Sequence, residues 1–334
     1  GMEQAFESYL HGVPGKRAIE TNDQGKVVSA DDNWKIDERT GEPQAPQPGC
    51  NVISTLDIKL QEAVERALAD GVGALKSEDT QGAAAVVIDV NDGGVLASAS
   101  YPTYDLSTFL QNYTELANDP LNPLFNRATQ GVYPPGSTFK MVTAIAGLQE
   151  GVITPTDEIL DTGRYTYYKD YQPQCWYYRQ YGRTHGKENV SEAIRDSCNI
   201  FFYDVGRRLG ISLLDEYAQK FGLGEYTGIE VYESKGHVAG PGYTESLGQK
   251  WYDGNTLPAA IGQENNQFTP IQLANYVATL ANGGTHYSAH LLKEVKSSDF
   301  SQVVYQYEPE VLNELDLDPE NLEAVTRGML MVTQ

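Results

Sequence analysis

Ser137 and Lys140 stand three residues apart in the segment Tyr133-Pro134-Pro135-Gly136-Ser137-Thr138-Phe139-Lys140. If Ser137 opens a helix, its oxygen can cap free amides, and Lys140 falls about one turn on, on the same face. A hydroxyl, an amine and the positive end of a helix then converge, as a nucleophilic serine requires when a lysine is its base. Further on, Ser197 and Asn199 flank Cys198 between two apolar helical patterns. Polar groups in such a place must find partners or face a site. Against this, Ser-x-x-Lys arises by chance about once in a chain of this length, and a serine at a helix start is usually only a cap.

The elements that must position these residues follow from periodicity and breakers. The two prolines and Gly136 force an irregular entry to a helix whose residues Phe139, Val142, Ala144, Ile145, Ala146 and Leu148 are apolar on most sides. Such a helix is expected to be buried. Burial would lower the proton affinity of Lys140 and let it act as a base; the alternative is a lysine that snorkels outward or pairs with a carboxylate. Val190 to Asp196 reads as a short helix ending at Ser197, with further helices from about Ile200 to Gly210 and from Leu213 to Phe221. Thr269-Pro270 reads as the cap and first turn of another, and a last helix is expected from about Asp318 to Val332. The run GAAAVVIDVNDGGVLASASYP reads as a hairpin turning at Asn91-Asp92-Gly93-Gly94. Segments 101–136 and 232–256 read as loops, and 163–185 is rich in tyrosine, suiting packing more than an aromatic binding wall.

Toward the start, Asp23-Gln24-Gly25-Lys26 reads as a turn between short strands, and the Pro- and Gly-rich stretch at 40–50 as a linker. Asn51 to Leu56 is strand-like, and Asp57 caps a helix carrying Leu60, Val64, Ala67 and Leu68. The expected division is therefore residues 1–50, the end of a preceding module and its linker, and 51–334, one large domain.

Composition excludes some functions. The 334 residues hold 46 Asp and Glu against 24 Lys and Arg, a net charge of -22. That excess repels phosphates and disfavours a nucleic-acid partner. Three cysteines and five histidines show neither Cys-x-x-Cys nor His-x-x-x-His spacing, so neither a structural zinc, nor another metal, nor a cofactor is expected. No apolar run reaches transmembrane length and no secretory signal is evident. Gly1-Met2 reads as a tag scar, so an anchor or signal upstream is compatible with the sequence.

The pieces, in order, resemble the class B penicillin-binding proteins of bacterial cell-wall synthesis. STLDIKLQEAVERAL is similar to the strand-to-helix entry of their transpeptidase domain, AVVIDVNDGGVLASASYPTYDLSTF to its first hairpin, and NRATQGVYPPGSTFK to its nucleophile segment. VSEAIRDSCNIFFYDVGRRLGI resembles the second-motif region, and FGLGEYTGIEV and IGQENNQFTPIQLANYVATLANGG two later landmarks. The resemblance implies an α+β, β-lactamase-like fold, with a central antiparallel sheet and helices on both sides, and the end of a pedestal module in residues 1–50. It implies a serine D,D-transpeptidase on the outer face of the cell membrane, cross-linking peptidoglycan stem peptides and acylated by β-lactams. Ser137 matches the nucleophile, Lys140 its base, Ser197 a proton relay, and Asn199 a group that holds the substrate amide or Lys140. A glycosyltransferase of a cell-wall synthesis complex is the implied partner.

Two departures qualify that picture. The third motif of the family, Lys-Thr-Gly or Lys-Ser-Gly on a strand, is not found; Ser234-Lys235-Gly236 has the wrong order and place. In the family it follows a helix like NLEAVTRGMLMVTQ, so the domain is expected to stop short of it. The sheet would then lack its C-terminal strands, and a C-terminal fragment of the same protein is expected to complete it. Gln263-Glu264-Asn265 departs where the family often has glycine after the glutamine. Competing readings are a D,D-carboxypeptidase or β-lactamase, and a penicillin-sensing or divisome scaffold protein that binds without turnover.

Overall fold

The computed structural model describes residues 1–75 and 80–334. The chain divides into two compact units, and the division is discontinuous: residues 1–55 with 290–308, and residues 56–289 with 309–334.

The first unit is β-rich. Arg17–Thr21 and Val27–Trp34 pair antiparallel, joined by the expected turn, in which Asn22 Oδ1 accepts from the backbone of Gln24 and Lys26. A second sheet runs in the order Val303–Gln306, Leu292–Lys296, Asn51–Ser54. Asn51 thus opens a strand, as its sequence suggests, but the strand belongs to this unit. The stretch at 40–50 is irregular yet pinned: Val13 and Gln47 exchange backbone hydrogen bonds at 2.8 Å, and Ile36 bridges Pro43.

The second unit is built around the Lys140–Gln149 helix, buried from Lys140 to Leu148. It packs against Asn199–Leu209, Ile211–Lys220 and Pro319–Val332. Small residues allow the approach. A Cβ on Gly147 would stand 2.6 Å from Val205 Cγ1, and one on Gly206 2.2 Å from Ala260 Cβ. Apolar side chains from these helices, including Ile145, Phe201, Phe202, Leu214 and Val325, form the core; burying each one stabilises the fold by roughly 1.5–3 kcal/mol.

The expected hairpin is present as Ala83–Ile88 with Val95–Tyr101. The Ile58–Leu75 helix packs along its second strand and the Pro270–Ala281 helix along its first. Thr269 caps the latter reciprocally with Gln272, and Pro270 opens it. Among the described residues these two strands pair only with each other.

Three stretches differ from expectation. Phe109–Asn118 is helical within a stretch read as loop, as is Pro241–Ser246. Flanking prolines and glycines hide both, because breakers bound a helix as readily as they exclude one. Residues Gly136–Phe139 form a 3-10 turn before the α-helix begins at Lys140.

Candidate active site

That 3-10 turn governs Ser137. Gly136 takes φ +57°, which glycine adopts without strain. Its N–H donates to Gly262 O at 2.9 Å. Gly262 is itself at φ +71°, and a Cβ there would lie 2.2 Å from Gly136 O. Tyr276, from the Pro270–Ala281 helix, donates its hydroxyl to Thr138 O. The turn is thus held from two sides while the Ser137 side chain remains exposed. Ser137 caps no amide; its oxygen is left for other partners.

The second cluster comes from the junction of two helices. Val190–Arg195 begins with a capping box between Asn189 and Glu192 and gives way at Ser197, a non-glycine residue at φ +52°. The left-handed turn reverses the chain so that the Asn199–Leu209 helix can start at once. It also brings Ser197 and Asn199 to Lys140, whose Nζ donates to Ser197 O at 2.7 Å, Ser197 Oγ at 3.0 Å and Asn199 Oδ1 at 2.7 Å. Ser197 Oγ donates in turn to Ser137 Oγ at 2.9 Å. All four residues singled out from the sequence therefore form one hydrogen-bonded group.

Lys140 is only 1% exposed. Burial pulls its amine down to about 8, against the opposing pull of the neighbouring acidic groups of Cys198, Cys175 and Glu188. An ammonium has three protons to donate, and three acceptors meet it here. In its neutral form the amine can instead accept from Ser197 Oγ, which then accepts from Ser137 and leaves that oxygen nucleophilic. The group opens into a cleft of about 590 Å³ lined by Ser137, Trp176, Ser197, Asn199, Tyr203 and Gln263 among others.

Ser234-Lys235-Gly236 lies elsewhere. Lys235 pairs with Glu225 at 2.9 Å and does not line the cleft. The departure at Gln263-Glu264-Asn265 has a physical reading. Glu264 adopts φ +62°, a conformation that suits glycine, and Asn255 Nδ2 holds its carboxylate at 2.7 Å. The tyrosine-rich stretch divides between roles. Tyr165 is buried and donates to Asp204 at 2.8 Å, whereas Tyr168 and Tyr171 line a separate hollow of about 550 Å³ with Tyr252 and Asp253.

The absence of metal-ligand spacing did not prevent donors from converging. Asp161, Cys175, His185 and Cys198 bring one ligand atom each to within 4.8 Å of one another. Asp161 ends the strand Ile159–Asp161, which pairs with Gly186–Glu188 beside His185. Cys175 and Cys198 directly precede the Trp176–Tyr181 and Asn199–Leu209 helices. His185 Nδ1 lies 2.9 Å from Asp161 Oδ2 and 3.6 Å from Cys175 Sγ, and Tyr177 stacks on its ring. A hydrogen bond from the Cys198 thiol draws Cys175 down to about 6 and raises Cys198 in turn. One nitrogen, one carboxylate oxygen and two sulfurs make a closed donor set suited to tetrahedral zinc. Four separate segments supply it, so a spacing rule reads none of it; the only sequence signal was a pair of cysteines around a histidine.

Residues 83–334 match the family model described as the penicillin-binding protein transpeptidase domain. The peptidoglycan D,D-transpeptidase MrdA of Escherichia coli K12 is 36% identical over 326 residues, which cover 93% of this chain and 47% of that protein. The chain therefore spans about half the length of the curated relatives it matches. The crystal structure of Pseudomonas aeruginosa PBP2 in complex with WCK 5153 superposes with a TM-score of 0.73 at 35% identity, covering 86% of this chain and 63% of that one. A peptidoglycan synthase complex, solved for its coordination of polymerization and crosslinking, contains a chain with a TM-score of 0.78 at 32% identity, covering 99% of this chain and 56% of that one.

Proposed function

The chain belongs to the penicillin-binding protein transpeptidase family, and from that premise we propose that its second unit performs serine D,D-transpeptidation on peptidoglycan stem peptides. The observation that carries this reading is the hydrogen-bond chain from Lys140 through Ser197 to Ser137. Neutral Lys140 takes a proton by way of Ser197, and Ser137 Oγ attacks the carbonyl of a D-Ala-D-Ala terminus. The Ser137 N–H is one donor to the oxyanion. Ser197 returns the proton to the departing amine, D-Ala leaves, and an ester to Ser137 remains. The amine of a second stem peptide then attacks that ester and forms the cross-link. Asn199 holds Lys140 and offers its remaining hydrogen-bonding capacity to the substrate amide. β-Lactams acylate the same oxygen because they carry a strained amide in the same position.

The two-stranded Ala83–Ile88/Val95–Tyr101 sheet supports a further part of the reading. A strand carrying Lys-Thr-Gly or Lys-Ser-Gly, from another segment or a C-terminal fragment of the protein, adds to this sheet and completes the cleft. No described helix is long and apolar enough to cross a membrane; the substrate nevertheless assigns the work to the outer face of the cell membrane. There the kinship to a chain of a peptidoglycan synthase complex favours a glycosyltransferase partner. Residues 1–50 would form the end of a pedestal module.

The test is acylation of the full-length protein by a fluorescent penicillin. Lasting label on the wild type, lost in Ser137→Ala, supports the reading. Rapid release of label indicates a β-lactamase or carboxypeptidase. Stable label with no cross-linked product indicates a penicillin-sensing scaffold.

The buried Asp161, Cys175 and Cys198 with the partly buried His185 favour a second, structural role for the same unit. They would hold a divalent zinc ion that ties the tyrosine-rich stretch to the start of the Asn199–Leu209 helix.

A further inference from the structure

Cys175 and Cys198 are both free thiols and both buried, and their sulfurs lie within the 4.8 Å donor cluster. The third cysteine, Cys50, belongs to the other unit. A zinc site needs both sulfurs, but two adjacent thiols without a metal have another fate. We propose that Cys175 and Cys198 form a reversible disulfide in the metal-free protein, and that this bond slows chemistry at Ser137.

The geometry supplies the reason. Cys175 itself is fully buried, but its neighbours Gln174 and Trp176 line the cleft that holds Ser137, so a small reagent in the cleft meets this thiol when that wall opens. The reagent is a low-molecular-weight disulfide. Cys175 as thiolate attacks one of its sulfurs; the reagent's S–S bond breaks and the first small thiol leaves. Cys198 then attacks the Cys175 sulfur of the mixed disulfide, and the second small thiol leaves. Both cysteine protons pass to the departing thiolates, and the two electrons gained reduce the reagent. No other oxidant is needed.

The consequence for the active site follows from Cys198. It stands between Ser197 and Asn199, whose side chains together hold Lys140. An S–S bond is only about 2.05 Å long, with a demanding dihedral. Drawing the Cys198 sulfur to that distance pulls on a junction already committed to a left-handed residue at Ser197. The hydroxyl that links Lys140 to Ser137 shifts with it. Metal and disulfide are mutually exclusive occupants, so zinc protects the reduced, reactive form.

The experiment uses full-length protein, stripped with a chelator and incubated with oxidised glutathione, or first reloaded with zinc. Peptide mapping by mass spectrometry should find the Cys175 and Cys198 peptides joined, two mass units below their reduced sum, in the stripped sample and not in the zinc-loaded one. Fluorescent-penicillin labelling should slow at least tenfold and recover on reduction. In Cys175→Ser the labelling rate should no longer respond to oxidised glutathione; Cys50→Ser, outside this unit, should respond as wild type does. A persistent glutathione adduct, unreacted thiols, or a bridge involving Cys50 would overturn the disulfide. Joined peptides with unchanged labelling would overturn its effect on Ser137. The slowing presupposes the acylation reading above, whereas the mapping does not; protein that never labels, yet forms the bridge, separates the two failures.

Discussion

The Ser197 hydroxyl stands between two side chains, donating to Ser137 Oγ at 2.9 Å and accepting from Lys140 Nζ at 3.0 Å. The lysine therefore acts on the nucleophile through a second serine. Ser197→Ala removes that bridge while Asn199 and the Ser197 backbone carbonyl still hold the amine. The rate constant for penicillin acylation should fall about 10²–10⁴-fold, the ordinary span of a general-base contribution. The protein should keep its thermal midpoint to within a few degrees. A variant that retains its acylation rate would remove Ser197 from the proton path.

The protonation of Lys140 sets a pH dependence. Its burial lowers the amine to about 8, and only the neutral form accepts a proton. Acylation should rise with pH, by about tenfold between pH 7 and pH 9, and level off above. A rate that stays flat over that interval would mean that the amine does not serve as the base.

Gly262 tests the support under the nucleophile. Gly262→Ala places a methyl 2.2 Å from Gly136 O in a backbone at φ +71°. The strain of a left-handed alanine alone is about 1–2 kcal/mol, and the clash adds to it. The urea midpoint should drop, and acylation should slow even at low temperature where the variant is folded, because the 3-10 turn carrying Ser137 must move. Wild-type behaviour in both measurements would show that the contact relaxes freely.

The metal reading predicts one zinc per chain by elemental analysis. His185→Ala and Cys198→Ser should each lose it. Chelation should lower the thermal midpoint by on the order of 5 °C, the shift expected when a ligand bound only to the folded state is removed. Protein purified without any bound divalent metal, and unaffected by added zinc, would contradict it.

The four polar residues of the hydrogen-bonded group were legible as candidates because each sits near a helix start, and helix starts are marked by prolines, glycines and the apolar periodicity that follows. Their connection came only from the family resemblance, which gives Ser197 a relay role. Nothing in the spacing of Ser137 and Lys140 says that the contact runs through Ser197, since that depends on a left-handed residue folding one helix end back upon another. The Asp161, Cys175, His185 and Cys198 cluster escaped for a related reason: its donors come from a strand end, two helix starts and a loop, and only tertiary structure brings them together. The Ala83–Ile88/Val95–Tyr101 hairpin of the second unit follows local signals and was readable, whereas the pairing of Leu292–Lys296 with Asn51–Ser54 joins distant segments that carry no common local pattern.

That pairing also orders events in time. Asn51 donates to the carbonyl of Ser297 across 246 residues, and the middle strand of its sheet is Leu292–Lys296. During synthesis the chain emerges from its N-terminus. Asn51–Ser54 therefore waits as an unpaired edge until almost all of the second unit has appeared. An unpaired strand invites foreign partners. The late segment from His290 to Glu308 is thus a clasp, and a chain interrupted before it would leave Asn51–Ser54 without its partner strand.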